Sequence, residues 1–396
     1  MSAAAAAPWV SKDLRVAKAR LSVLTLTPFF PSAENPAQGC FISEPLERSS
    51  QFDIEPRVIA IDPFYRRSQD ACVAGSEWKR YYCLPGNLGL VTSAKLIVQA
   101  IRPRVMELHK ALRIGLIHAH TALPCGEAAM TLAEELNIPF IVSAHGLDVF
   151  AEKQAGRLLR AWTKPASMRV YREARSVVCI SEKVRDQFPE NLRVKTRVIY
   201  NGVDSELFGA VPESSSRPTI LSVGNLIPIK GHALLFRAFA KMRRTVPNVE
   251  LEIIGEGPER GNLIQLAEKL GISSQVRFLG RVGRQAVARA MQSCAVFVLP
   301  SSYEGLGCVY LEAMSCGKPA IGCFGQGIEE VIDHDENGLL VPPGNEVALS
   351  NALLAVLQDA NLRHRLGTAA RDRILQRHKL ERQAQQLAEL YREVVA

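Results

Sequence analysis

No C-x-x-C pair, no long apolar run and no short internal repeat occurs in this chain. Its nine cysteines (40, 72, 83, 125, 179, 294, 308, 316 and 323) are scattered and odd in number. That pattern argues against a disulfide framework or a zinc site and fits reduced thiols in the cytosol. The first apolar run, Leu21–Phe30, is interrupted at Pro28 and is too short to span a bilayer. The Ala-rich start before it lacks the apolar centre of a signal peptide, so a cytoplasmic protein is expected. Aromatic residues make up only 6% of the chain and do not interleave with the basic ones, which counts against nucleic acid as a partner.

What is present is the balance of a soluble enzyme: 396 residues, 47% hydrophobic and 22% charged. That length exceeds one ordinary core and predicts two α/β domains of nearly equal size. The net charge of +8 is one-sided. Residues 1–200 hold 27 Lys and Arg against 19 Asp and Glu, whereas residues 201–396 hold 21 of each. A basic first half suits an anionic partner such as a membrane surface, and ordinary solvated helix faces explain it equally well. The densest contributors are Arg157, Arg160, Lys164, Arg169, Arg172 and Arg175, read together as one helical stretch.

Apolar runs bounded by turn residues alternate with helical patterns throughout. "GLIHAH" (Gly115–His120), "IPFIVSAH" (Ile138–His145) and "RSVVCIS" (Arg175–Ser181) read as strands of the first half. "PTILSVG", "VELEIIG", "VRFLG", "AVFVLP" and "PAIGC" restart the rhythm from Pro218 onward. The expected fold class is α/β, with two Rossmann-like doubly wound parallel-sheet domains facing a central cleft. The seam is the Gly-, Ser- and Pro-rich stretch Asn201–Pro218, so the domains are placed at 1–200 and 201–378. Residues 379–396 form a last segment expected to return to the first domain. The run "RDRILQRHKLERQAQQLAELYREVV" reads as one charged amphipathic helix.

Ligands of doubly wound sheets sit beyond the carboxyl ends of the strands. Five loops of the second half carry glycines and charges there: "VGNLIPIKG", "GEGPERG", "GRVGR", "SSYEGLG" and "FGQGIEE". Lys230 is a compact cation suited to a diphosphate, although an isolated surface lysine is the simpler reading. Gly305 and Gly307 let backbone approach a ligand at the start of a helix, where N–H groups favour negative charge. Glu304 falls in the loop and Glu312 more than a turn into the helix, so the two carboxylates have different roles.

"EGLGCVYLE" resembles the E-x7-E motif of the retaining GT-B glycosyltransferases of family 4. "SVGNLIPIKG", "IIGEGP", "FLGRV", "EAMSCGKPAI" and "NGLLVPPGN" fall in that family's order, as do "AHGLDVF", "CISEKV" and "NGVDSELF" earlier. The resemblance covers about residues 20 to 380. It implies a first domain for the acceptor, a second for a nucleotide diphosphate sugar, and transfer of a hexosyl group with no cofactor and no metal. Glu304 then matches the residue holding the transferred sugar, Glu312 the ribose grip, Lys230 the diphosphate cation and His145 the first-domain histidine across the cleft. Gly39 matches a glycine loop near the nucleotide, and the backbone of Gly305, Leu306, Gly307, Cys308 and Val309 meets sugar and phosphate. Gly255 and Gly257 leave room for the nucleotide, with the base against Gly280 and Arg281. By family frequency the donor is a UDP-sugar, with GDP-mannose next. The "FPSAENPAQGCF" loop and the "GCVYLEAMSCGKPAIGCFGQGIEEVI" block resemble members that build bacterial cell-surface or exported polysaccharides, which implies a glycan or lipid-linked acceptor and peripheral contact with the inner membrane face.

One residue departs from the pattern. Asn225 stands where most members have an arginine, so Arg281 or Arg284 is a candidate to replace that charge. Competing readings are a dehydrogenase, a glycosidase, and a GT-B protein that binds or epimerises a sugar nucleotide without transfer. The first lacks its acidic residue, since "VRFLGR" ends in Gly-Arg. The second does not need nucleotide loops. His118 and His120 share one face of a strand with no third metal ligand evident, and are expected to line the cleft or cap the strand end.

Overall fold

The chain is described here by a computed structural model that covers residues 20–33, 35, 37–65, 75–84, 89–149, 157–211 and 218–396. The first sheet holds β1 (Leu21–Thr27), β2 (Ile54–Pro63), β3 (Ser76–Tyr81), β4 (Leu116–His120), β5 (Phe140–Ala144), β6 (Ser176–Cys179) and β7 (Thr196–Val198). The second holds β8 (Thr219–Val223), β9 (Glu250–Ile254), β10 (Val276–Gly280), β11 (Val296–Val298), β12 (Ala320–Cys323) and β13 (Leu339–Val341). Every pairing is parallel. The sequence dictates this. β4, β5, β6, β11 and β12 are buried along their whole length, which requires helices on both faces.

The strand orders are β3-β2-β1-β4-β5-β6-β7 and β10-β9-β8-β11-β12-β13. Each order reverses once, between β1 and β4 and between β8 and β11. At such a reversal the two neighbouring connections leave toward opposite faces and open a crevice at the carboxyl edge. The loops after β8 and β11, with Lys230 and Glu304, therefore share one crevice. The loops after β1 and β4 share the other.

The carboxyl-terminal run is two helices, Ala360–Arg377 and Leu380–Val395, and not the single helix its pattern predicts. No Pro or Gly breaks it. The backbone at His378–Lys379 is instead drawn into pairing with Val203, whose N–H donates to the His378 carbonyl at 2.9 Å while its own carbonyl accepts from Leu380 at 3.1 Å. Tertiary hydrogen bonding overrides helix propensity here. The last helix then lays Leu387, Leu390, Tyr391 and Val394 against Val23, Leu116, Ile141 and Val178, covering one face of the first sheet. No helix among the described residues is long and apolar enough to cross a membrane.

Candidate active site

The second-sheet crevice is built by backbone packing before any side chain acts. Gly231 has φ +74°, and a β-carbon there would lie 2.1 Å from the Pro300 carbonyl oxygen. Glycine lets the β8 loop press against the exit of β11, and Ser302 N–H bonds the Ile229 carbonyl at 2.8 Å. That contact delivers Lys230 to Glu304: Nζ lies 2.6 Å from Oε2, with the side chains 18% and 12% exposed. Two groups predicted independently, one for diphosphate and one for sugar, thus meet. The Glu304 backbone is pinned by the β12 loop, donating to Gln326 Oε1 at 3.0 Å and accepting from Gly327 N–H at 2.9 Å.

The chain then enters the Cys308–Ser315 helix through Gly307, at φ +87°, with no side chain capping the first turn. Its leading amides, including Cys308 and Val309, end the helix dipole beside this crevice. Leu306 is buried, and the Cys308 thiol accepts from Asn201 Nδ2 at 3.1 Å. Gly305 is a crossing point: a β-carbon there would sit 2.7 Å from the His145 carbonyl oxygen, and its own carbonyl accepts from Ser181 Oγ at 2.5 Å. Gly146 is equally confined, by the Tyr303 hydroxyl. The histidine loop of the first half and the glutamate loop of the second are in direct contact.

Glu312 lies one turn inside that helix, 3% exposed. Its Oε1 accepts from Arg284, which also bonds Glu44 of the first half at 2.7 Å and stacks 4.7 Å over the Phe208 ring. Burial pushes the Glu312 carboxyl up against the opposing pull of Arg284. Burial likewise lifts Glu44 to about 7, again opposed by Arg284. Oε2 of Glu312 is sealed from solvent and has no protein partner. Without a donor bound, Arg284 is paired with these two carboxylates, as Lys230 is with Glu304. Asn225 and Arg281 are both exposed.

The nucleotide-loop glycines have a structural cause as well. A β-carbon on Gly255 would lie 1.9 Å from the Gly224 carbonyl oxygen, and one on Gly257 would lie 2.4 Å from that of Leu226. They admit the neighbouring backbone, so room for a ligand is not the sole reason for glycine at either position. Gly280 ends β10 at φ +68° with Arg281 beside it. Gly39, at φ +67°, opens the Cys40–Ser49 helix and lets it approach the Phe29 carbonyl.

The first-sheet edge has a different chemistry. His118 bonds Tyr391 through Nδ1 and Ser143 through Nε2, each at 2.7 Å. His120 stacks on His118 at 4.5 Å, and its Nδ1 meets His145 Nε2 at 3.1 Å. Phe41 packs edge-on against His145 at 5.0 Å. Burial pushes His118 down to about 3 and His145 to about 4, with His120 also held well below the usual histidine range. All three are neutral at pH 7. Among the described residues no group of three His, Cys, Asp or Glu side chains could hold a metal.

Sequence reasoning missed Glu330. Its Oε2 and Oε1 accept the Glu182 and Lys183 N–H groups at 2.8 and 2.7 Å, capping a helix of the first half, and Tyr200 donates to Oε2 at 2.9 Å. The only signal was its place in "FGQGIEE". The basic stretch is the Arg157–Glu173 helix, with Arg175 beyond its end and Arg169 paired to Glu127.

Two family models match the chain. "Glycosyltransferase Family 4" spans residues 57–207, and "Glycosyl transferases group 1" spans 204–373. An uncharacterized glycosyltransferase of Methanocaldococcus jannaschii is 31% identical over 256 residues, 64% of this chain and 68% of that protein. The N-acetyl-alpha-D-glucosaminyl L-malate synthase of Bacillus anthracis is 25% identical over 313 residues, 75% of this chain and 79% of the relative. Among solved structures, a sucrose-phosphate synthase of Thermosynechococcus elongatus has a TM-score of 0.79 at 23% identity, covering 94% of this chain and 99% of that one. The Anabaena protein HepE, solved with UDP-glucose, has a TM-score of 0.74 at 20% identity over 94% of this chain and all of its own. The two facing parallel-sheet halves are the GT-B architecture.

Proposed function

The chain belongs to the family 4 glycosyltransferases, and from that premise we propose that it moves a hexosyl group from a nucleotide diphosphate sugar to a glycan or lipid-linked acceptor with retention of anomeric configuration. The observation that carries this reading is the Lys230–Glu304 pair in the β8/β11 crevice, in a loop touching His145 of the first half. On donor binding, Lys230 exchanges the carboxylate for diphosphate oxygens, and the uncapped helix amides add neutralising dipoles. That service needs no metal ion. Glu304, released from Lys230, accepts hydroxyls of the transferred sugar next to its reacting carbon. Neutral His145 offers a hydrogen bond from the opposite wall. Glu312 is read as the ribose grip from its place in the motif.

A UDP-sugar is the first choice of donor, supported by the fold neighbour solved with UDP-glucose; a GDP-mannose-dependent mannosyltransferase among the relatives keeps that donor second. Incubation with a panel of labelled nucleotide sugars tests the activity. Transfer, or slow hydrolysis with released nucleotide, supports it, whereas an isomerised sugar nucleotide would establish an epimerase instead. For the acceptor, Lys164 and Arg172 are exposed and have no ion-pair partner among the described residues, which supports contact with an anionic lipid surface. Sedimentation with anionic vesicles at low and high salt checks this, and equal partitioning onto neutral vesicles would refute it.

A further inference from the structure

Residues at the crossing of the last two helices line a second, open-sided cavity, of about 510 Å³, that shares no lining residue with the histidine stack. Its walls include Tyr200 after β7, Glu330 after β12, and Arg377, His378 and Arg382 at the helix crossing. Most arginines of the Ala360–Arg377 helix are already satisfied. Arg363 and Arg365 donate to the Val356 and Asp335 carbonyls at 3.1 and 2.8 Å, Arg371 to Ser315, and Arg373 pairs with Asp333. Arg377 and Arg382 have no side-chain hydrogen bond and no ion pair among the described residues.

His378 is 4% exposed, and its Nδ1 is sealed without a partner. That leaves Nε2 as the ring nitrogen that can meet the cavity. Burial, then the charges of Arg373, Arg377 and Arg382, push this imidazole down to about 4, so it is neutral at pH 7. A proton placed on Nε2 leaves the sealed Nδ1 as a bare acceptor and gives the cavity a donor. Glu330 is the one acidic residue of the lining, and its oxygens already accept two amides and the Tyr200 hydroxyl. The cavity thus presents two guanidinium forks and an imidazole N–H with no carboxylate free to answer them. Guanidinium forks match phosphate oxygens in shape and charge. The volume is in the range of sites for sugar-sized ligands, and Gln376 and Gln386 add amides suited to hydroxyls.

We propose that this cavity binds a small phosphorylated sugar, with its phosphate on Arg377, Arg382 and His378. The site stands whether or not the cleft performs the reaction proposed above. The test is calorimetric titration of the full chain with a hexose monophosphate, repeated on Lys230→Ala and on an Arg377→Glu/Arg382→Glu double variant. Both arginines are exposed, so the double variant keeps the fold, which its unfolding temperature verifies. The expected result is saturable binding in the parent, unchanged by Lys230→Ala and weakened at least about tenfold in the double variant. In labelled protein, the His378 ring resonance should shift on titration and its pKa should rise, as an anion favours imidazolium. No saturable heat at millimolar ligand, equal affinity in the double variant, or loss of binding in Lys230→Ala alone would each overturn the site.

Discussion

The two crevices have one topology and opposite electrostatics. In the second sheet, the reversal between β8 and β11 brings a lysine and a glutamate within 2.6 Å of each other, both partly open to solvent. In the first sheet, the reversal between β1 and β4 lies beside three neutral, stacked histidines tied to Tyr391. A parallel sheet supplies the crevice in both cases, and the loops alone decide the chemistry. One wall is prepared for charge that arrives with a ligand, the other for hydrogen bonding to a neutral partner.

The largest expected effect breaks the charged wall. Glu304→Gln keeps size and hydrogen-bonding capacity but removes the charge from the loop that touches His145. Transfer should fall at least about a hundredfold, since small geometric and electrostatic losses at a reacting centre are costly. The unfolding temperature should hold, because Gln also accepts from Lys230. Turnover near that of the parent would remove Glu304 from the chemistry.

Lys230→Ala comes next and should act on donor binding. One charge-assisted contact is about 1.5–3 kcal/mol, so KM for the donor should rise roughly ten- to a hundredfold. The absence of arginine at Asn225 leaves Lys230 less support than it would otherwise have. Nucleotide affinity unchanged from the parent would move the diphosphate elsewhere.

How much of this was legible in the sequence follows from the range of each interaction. Buried strands and the Gly307 helix entry announce themselves within a dozen residues, so β4, β5, β6 and the Cys308–Ser315 helix were readable. β3 was not, because "SEWKRY" is a charged edge strand without an apolar run. The break at His378 was invisible because its cause, Val203, lies far away in sequence. Likewise His118 and His120 were visible as a pair on one strand face, but their link to Tyr391 spans 273 residues. Glu312 was assigned a ligand role by motif, whereas its bond to Arg284 emerged only once the loops after β10 and β11 were brought together.

The smallest expected effect concerns the neutral wall, and its sign can be derived. His118 titrates near 3 in the folded protein and near 6.5 in the unfolded chain. Between those values the unfolded state binds the extra proton, so stability rises with pH across that window. The contribution is fully present above about 6.5 and is lost as pH falls toward 3. Other groups oppose it: Glu44 and Asp148, raised to about 7 and about 6, bind protons more readily when folded and make stability fall as pH rises. The net pH profile of the parent therefore mixes both signs. A difference measurement separates them. His118→Asn removes the bonds to Tyr391 and Ser143 and the titrating ring, and leaves Glu44 and Asp148 in place. At pH 7.5 the variant should unfold at a lower temperature than the parent. That gap should narrow steadily as pH falls toward 5, because only the parent loses the neutral-imidazole contribution, while the opposing carboxyls cancel in the difference. The measurement is thermal unfolding by circular dichroism of both proteins across this range. A gap that stays constant would mean that His118 is no more buried from protons than an ordinary histidine, and the neutral wall would lose its anchor.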